Sequence, residues 1–261
     1  MQCLRCFANR RIPSLQAAVV FVFTSIVLVL APTSWADDEA DAIINKGIKA
    51  IGGEARLAQA RVTTSKVKST VISGDNESVA EVEHTADGLD RMRSTAEQES
   101  DGNKFTTITV INGKKGWLKI IEMRVIELEG DEVADQKLQS APLALLELKD
   151  SKFKTEAVDD VKVDGKPAAG VKVIGPEGKG FTIYFDKQTG LPVKSVADQP
   201  DPESPGQVFT QETYYSDYQD FGGIKQATKV EIKGGGTFIK MELMDFKVLD
   251  KVDEKTFAKP A

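Results

Sequence analysis

His84 is the only histidine in the 261 residues and sits in Glu81-Val82-Glu83-His84. As a general base or metal ligand it would need a carboxylate on its own side of the chain. Alternate side chains of a strand point to opposite faces, so Val82 and His84 share one face and Glu81 and Glu83 take the other. The nearest acids therefore point away from the imidazole. The partners of a Ser-His-Asp set can be distant in sequence, but no Gly-x-Ser-x-Gly elbow supports that reading. His84 reads as a strand histidine at a surface or an edge. Gly175-Pro176-Glu177-Gly178-Lys179-Gly180 has the outline of a phosphate loop, yet its lysine is followed by glycine rather than serine or threonine, and it joins two strands. It reads as a hairpin turn. Asp159-Asp160 and the acids from Asp250 to Glu254 lack the spaced ligands and central glycine of a calcium loop. The sequence assigns no catalytic residue, no metal ligand and no cofactor.

The remaining chemistry-bearing side chains are Cys3 and Cys6, both of which precede an apolar run from Ala17 to Ala31. A lipidated cysteine would follow such a run directly, so neither fits that role. Arg5, Arg10 and Arg11 precede the run, and Pro32-Thr33-Ser34-Trp35-Ala36 follows it before the first acid, Asp37. A basic start, a short apolar middle and small residues at the end make a secretory signal, with cleavage expected after Ala36. A run of about 15 residues is short against the roughly 20 needed to span a bilayer. Removing residues 1–36 leaves 225 residues without cysteine, so the mature chain has neither a disulfide nor a thiol nucleophile. The segment carries three arginines and no acid, and its loss takes the formal charge from −6 to −9. An acidic surface argues against nucleic acid as a partner.

Elements must position whatever site remains, and nearly all of them are strands. Asp38 to Ile51 is the clear amphipathic helix, with Ile43, Ile44, Ile48 and Ile51 on one face and Gly52-Gly53 as its stop. Glu54 to Ala60 adds a further turn around Leu57. From Val62 to about Leu128 the period becomes two. Asp75-Asn76, Asp87-Gly88, Asp101-Gly102-Asn103 and Asn112-Gly113 divide the runs into hairpins. Ser140-Ala141-Pro142 opens a short helix through Leu143, Leu145, Leu146 and Leu148. Strands then resume from Val158 to Val248, and Asp198 to Gly206 reads as a long exposed hairpin loop.

The order of these pieces resembles the outer-membrane lipoprotein-sorting (LolA-like) periplasmic proteins. The pieces are Ala50-Ile51-Gly52-Gly53 ending a helix and Gly113-Lys114-Lys115-Gly116-Trp117 entering a strand. Then come the hairpin from Tyr184 to Val193, the stretch Tyr214 to Tyr218 with Phe221-Gly222-Gly223-Ile224, and the tail Val252 to Phe257. The likeness runs from about Asp37 to Pro260. It implies a mainly β (α+β) fold, a strongly curved antiparallel sheet forming an unclosed barrel with a few helices over the concave face, as one domain over residues 37–261. It also implies a non-catalytic periplasmic carrier that holds a lipid or lipoprotein acyl chain without a cofactor. An alternative within the same fold is an envelope-stress sensor or assembly module that binds a protein partner, including an envelope membrane protein. The chain lacks an arginine that matches the carriers' switch position.

Physical reasoning points the same way. A sheet of a dozen strands needs an apolar cover, and two or three short helices cannot supply it. The sheet must close on itself or leave an apolar hollow. Trp117 and Ile120, together with Phe181, Ile183 and Phe185 at a spacing of two, are the candidates for lining that hollow. Ordinary core packing would use the same residue types.

Overall fold

The computed structural model describes residues 34–100, 103–120, 124–140, 144–201, 204 and 206–261. The chain divides after Pro32, and the second unit, Thr33–Ala261, holds every element below. The expected signal lies outside the described residues except for its last three, which begin α1 (Ser34–Ile51). Ala40, Ile44, Ile48 and Ile51 recur three to four residues apart in α1 and are all buried, the face expected of an amphipathic helix. The helix closes where the Gly53 amide reaches the Ile48 carbonyl at 2.8 Å. A short second helix, α2 (Glu54–Gln59), follows.

Thirteen strands form one antiparallel sheet. The first six are β1 (Val62–Ser73), β2 (Asn76–Asp87), β3 (Arg91–Ser100), β4 (Asn103–Asn112), β5 (Lys115–Ile120) and β6 (Ile126–Leu128). The other seven are β7 (Lys154–Val163), β8 (Lys166–Ile174), β9 (Gly180–Asp186), β10 (Pro192–Pro200), β11 (Val208–Asp220), β12 (Lys225–Gly234) and β13 (Thr237–Leu249). Their spatial order is β6-β5-β4-β3-β2-β1-β13-β12-β11-β10-β9-β8-β7. Two meanders of hairpins therefore meet where β1 pairs with β13, and the outer strands β6 and β7 stay unpaired with each other. The sheet is an unclosed half-barrel, as expected. Register shifts occur between β1 and β13, within the β9–β10 pair and within the β7–β8 pair; such bulges bend a strand and sharpen its twist.

Because β6 and β7 are consecutive in sequence but at opposite edges, residues 129–153 must cross from one rim to the other. That crossing carries α3 (Gly130–Ser140) and a 3-10 turn at Glu147–Lys149. Here the structure corrects the sequence reading: Ser140 ends a helix instead of opening one. Gly130 to Ser140 offers little apolar periodicity, so α3 depends on tertiary contact. Its Val133 is buried beside Met92 and Ile111. Ala141 to Leu143, expected to begin the helix, lie outside the described residues.

The main core sits under α1, chiefly against β8 and β9, and is joined by Leu145 and Leu148 of the crossing segment and by Leu89 of the β2–β3 turn. Ile44 and Ile48 of α1 pack with Val171 and Val173 of β8 and Ile183 and Phe185 of β9. Helix and sheet approach closely at Gly47, where a Cβ would meet the Phe185 ring at 2.6 Å, so glycine is required. No residue of β1, β2, β12 or β13 joins this cluster. The middle of the sheet is left without a helical cover.

Candidate functional site

That uncovered middle is the wall of a cavity of about 760 Å³, within the roughly 300–1,000 Å³ typical of ligand pockets. It is bordered by strands from both arms and, across from them, by α2, α3 and residues 144–147. A surface reached from so many strands of one sheet is possible only because the sheet curves around it. Its apolar patch follows from the register. Val67 stands opposite Val82, and Val230 opposite Met241, with Ile232 and Leu243 on the same side. All six are half-buried. Their outward neighbours Lys229, Glu231, Lys240 and Glu242 are charged, the alternation of a half-solvated antiparallel sheet.

Polar side chains interrupt the apolar wall. Ser65, His84, Ser94 and Thr109 are successive partners across β1, β2, β3 and β4 and all border the cavity. On the other arm the Ser195 and Tyr215 hydroxyls are 2.9 Å apart, and burial pushes the Tyr215 phenol up to about 12. Gln139 of α3 donates to Gln199 of β10 at 3.4 Å, which ties the crossing segment to the sheet. At one end Arg61 borders the cavity and holds Asp87 at 2.6 Å. Burial alone would raise the Asp87 carboxyl, but hydrogen bonds from Arg91 and Arg61 outweigh it and leave the pKa below the usual carboxylate value. Glu147 accepts from the Leu89 amide at 3.0 Å.

The structure separates the five residues expected to line the hollow. Phe181 borders the cavity. Ile183 and Phe185 share its face but lie beneath α1, and Ile183 is 0 % exposed. Ile120 pairs with Thr107, on the cavity side of the sheet, yet is 37 % exposed and does not border the cavity. Trp117 is turned to the opposite face, because it pairs with Val110 and packs with Phe257 of the C-terminal 3-10 turn Glu254–Phe257. The residues that the sequence reading passed over are the central ones, Val230, Ile232, Met241 and Leu243. Their alternation with lysine and glutamate was visible; what was missing was which strands α1 would cover.

His84 is corrected in place as well. It is on an interior strand and faces the hollow, not an edge or the outer surface. Burial holds its imidazole below the ordinary 6.5. Val82 borders the cavity with it and Glu81 and Glu83 do not, as the alternation requires. Among the described residues no cluster of three or more His, Cys, Asp and Glu side chains is placed to hold a metal ion. No described helix is long and apolar enough to cross a membrane. The site can enclose an apolar chain and offer it neutral hydrogen-bonding groups.

No family model matches the chain, and no curated protein is similar to it in sequence. Solved structures are similar in fold. A LolA superfamily protein from Nitrosomonas europaea superposes with a TM-score of 0.58 at 11% identity, over 84% of this chain and 97% of that one. A DUF1329 family protein from Desulfovibrio piger gives 0.57 at 12% identity over the same shares. A putative outer membrane lipoprotein-sorting protein domain from Vibrio parahaemolyticus gives 0.50 at 13% identity, over 83% and 97%. The chain thus has the LolA-like fold that its order of turns and strands resembles.

Proposed function

We propose that the protein is a non-catalytic periplasmic carrier that holds the acyl chain of a lipid or of an acylated lipoprotein in the hollow. One observation carries this reading: apolar side chains such as Val67, Val230 and Leu243 face a cavity of about 760 Å³ and take no part in the main core under α1, which only borders that cavity through residues such as Phe181 and Leu145. An apolar surface left half-covered in a free protein is stabilised by an apolar ligand. Burying an acyl chain gains about 0.8 kcal/mol per methylene, so ten methylenes outweigh most single polar contacts. The LolA-like fold supports the same function by analogy. Export would place the carrier outside the cytoplasm, with a mature chain beginning at Asp37, a residue of the first turns of α1.

The test is native mass spectrometry and lipid extraction of the protein purified from its own envelope, with amino-terminal sequencing of the same sample. A carrier copurifies with lipid, or takes it up after delipidation, and starts at Asp37. Protein free of lipid and unable to take any up refutes the carrier. A mature chain that retains Ala17 to Ala31 refutes release into the periplasm.

A further inference from the structure

Four polar side chains of the hollow stand in one row. Ser65, His84, Ser94 and Thr109 stand opposite one another in adjacent strands and border the cavity. None of them hydrogen-bonds through its side chain to another described residue. At about 4.8 Å between strands, the row is about 14 Å long. The neighbouring rows are mostly apolar: Val67 and Val82 lie two residues away on one side, and Ala86, Met92 and Ile111 on the other. On this arm the wall therefore carries a polar band between mostly apolar rows, apart from the Ser195–Tyr215 and Gln139–Gln199 pairs of the other arm.

Such a band opposes a ligand that is hydrocarbon throughout. Water satisfies these groups while the hollow is empty, and a plain chain laid over them strips that water without replacing its hydrogen bonds. A ligand with a polar group partway along its length avoids the loss. The charges of the site decide the kind of polar group. Among the described lining residues the only cation with a fixed charge is Arg61, which is already paired with Asp87, and the only carboxylate is Glu147, engaged by the Leu89 amide. The imidazole is kept neutral by its surroundings. A carboxylate or phosphate on the row would lose its water and find no counter-charge. Serine and threonine hydroxyls and a neutral imidazole instead match a carbonyl or hydroxyl oxygen, since each can both donate and accept.

Building on the carrier reading, we infer that the row Ser65–His84–Ser94–Thr109 is a subsite for an uncharged ester, amide or hydroxyl group of the cargo, with the acyl chain beyond it on the Val67–Val82 side. The hollow then selects neutral acylated molecules, such as acylglycerols, over free fatty acids and over bare hydrocarbon.

Three ligands of equal chain length test this: a monoacylglycerol, the free fatty acid and the alkane. Each displaces a pyrene-labelled alkane from the delipidated exported protein at neutral pH. The monoacylglycerol is expected to bind about tenfold tighter than either of the others, the ratio that one well-placed hydrogen bond provides. His84→Leu should bring the monoacylglycerol and the alkane to within about twofold of each other, whereas His84→Gln, which still donates and accepts, should keep the preference. Ser65→Ala combined with Ser94→Ala should reduce it in the same way and serves if the histidine variants misfold. Equal binding of monoacylglycerol and alkane by the unmodified protein overturns the subsite and leaves the carrier standing. A preference that survives both His84→Leu and the double serine variant also overturns it. Failure of the monoacylglycerol as well as the pyrene-labelled alkane to bind, read by native mass spectrometry, overturns the carrier and the subsite together.

Discussion

Ile183 and Leu243 are both aliphatic strand residues whose side chains turn to the inside of the half-barrel, but they should respond very differently to truncation. Ile183 is fully buried under α1 among Ile44, Val171 and Phe185. Ile183→Ala removes three carbons, worth about 0.8 kcal/mol each in transfer, and leaves a closed cavity in a packed core. The total should be about 3–4 kcal/mol. Leu243 is half-buried and borders the open hollow. Leu243→Ala loses only part of its transfer energy and enlarges a space that already exists, so its cost should be about 1 kcal/mol. With a urea m-value near 2 kcal/mol/M, the midpoints of the lipid-free proteins should fall by about 1.5–2 M and about 0.5 M respectively. Lipid affinity should show the reverse order, with Leu243→Ala weakening uptake and Ile183→Ala sparing it under conditions where it stays folded. Ile183→Asp, which would bury an unpaired charge under α1, should not fold. Equal midpoint losses for the two alanine variants would refute the reasoning, because they would mean that Leu243 is as tightly packed as the core and that the hollow is closed in solution.

Trp117 is the only tryptophan in a chain that begins at Asp37 and packs against Val110 and Phe257 away from the cavity, so saturation with lipid should leave its emission wavelength unchanged; a shift would place the ring in contact with cargo. The single histidine gives one imidazole signal by NMR, expected to titrate below 6.5 and lower still with lipid bound, since burial disfavours the charged form. Its contribution to stability is complete above about pH 6.5 and is lost as pH falls through the folded pKa, because the unfolded chain takes up the proton first; an ordinary or raised value would contradict burial in the hollow. Gly190→Val should destabilise the fold by about 1–3 kcal/mol, as Gly190 has φ 78° and an added Cβ would meet Lys46 of α1 at 3.0 Å. An unchanged melting temperature would refute that role for the β9–β10 turn.

The meander explains why the hollow persists without being filled. Each new strand pairs with the previous one, so the sheet grows outward from the β1–β13 seam and each half ends on an outer strand. The described parts of the crossing segment, with α2, border the hollow, and α1 is spent mainly on covering β7 to β9. Asp186 shows how local chemistry supports that arm. Its carboxylate accepts from the Thr189 and Gln188 amides and the Thr189 hydroxyl. The Thr189 amide above all keeps its pKa below the usual value. The turn so formed places Gly190 against α1.

The sequence by itself determined the helix from Asp38 to Ile51, most of the strands and the turns between them. Those features depend on side chains a few residues apart: isoleucines at helical spacing, valines alternating with lysine and glutamate, and Asp-Gly and Asn-Gly pairs. Their order was enough to indicate the half-barrel. The sequence also sorted His84 and Val82 onto one face with Glu81 and Glu83 on the other, because strand alternation is a local rule. It could not say which of the two faces is concave. That depends on the register of β4 against β5, which turns Trp117 outward with Val110, and on the long-range β1–β13 pairing, which makes Val67, Met241 and Leu243 the centre of the wall. Nor could it show that α1 would close over Ile183 and Phe185 while leaving Phe181 at the cavity, or that the weakly patterned Gly130 to Ser140 would be helical. Each of these is decided by contact between segments tens to hundreds of residues apart, and periodicity along a single strand carries no record of which partner will cover it.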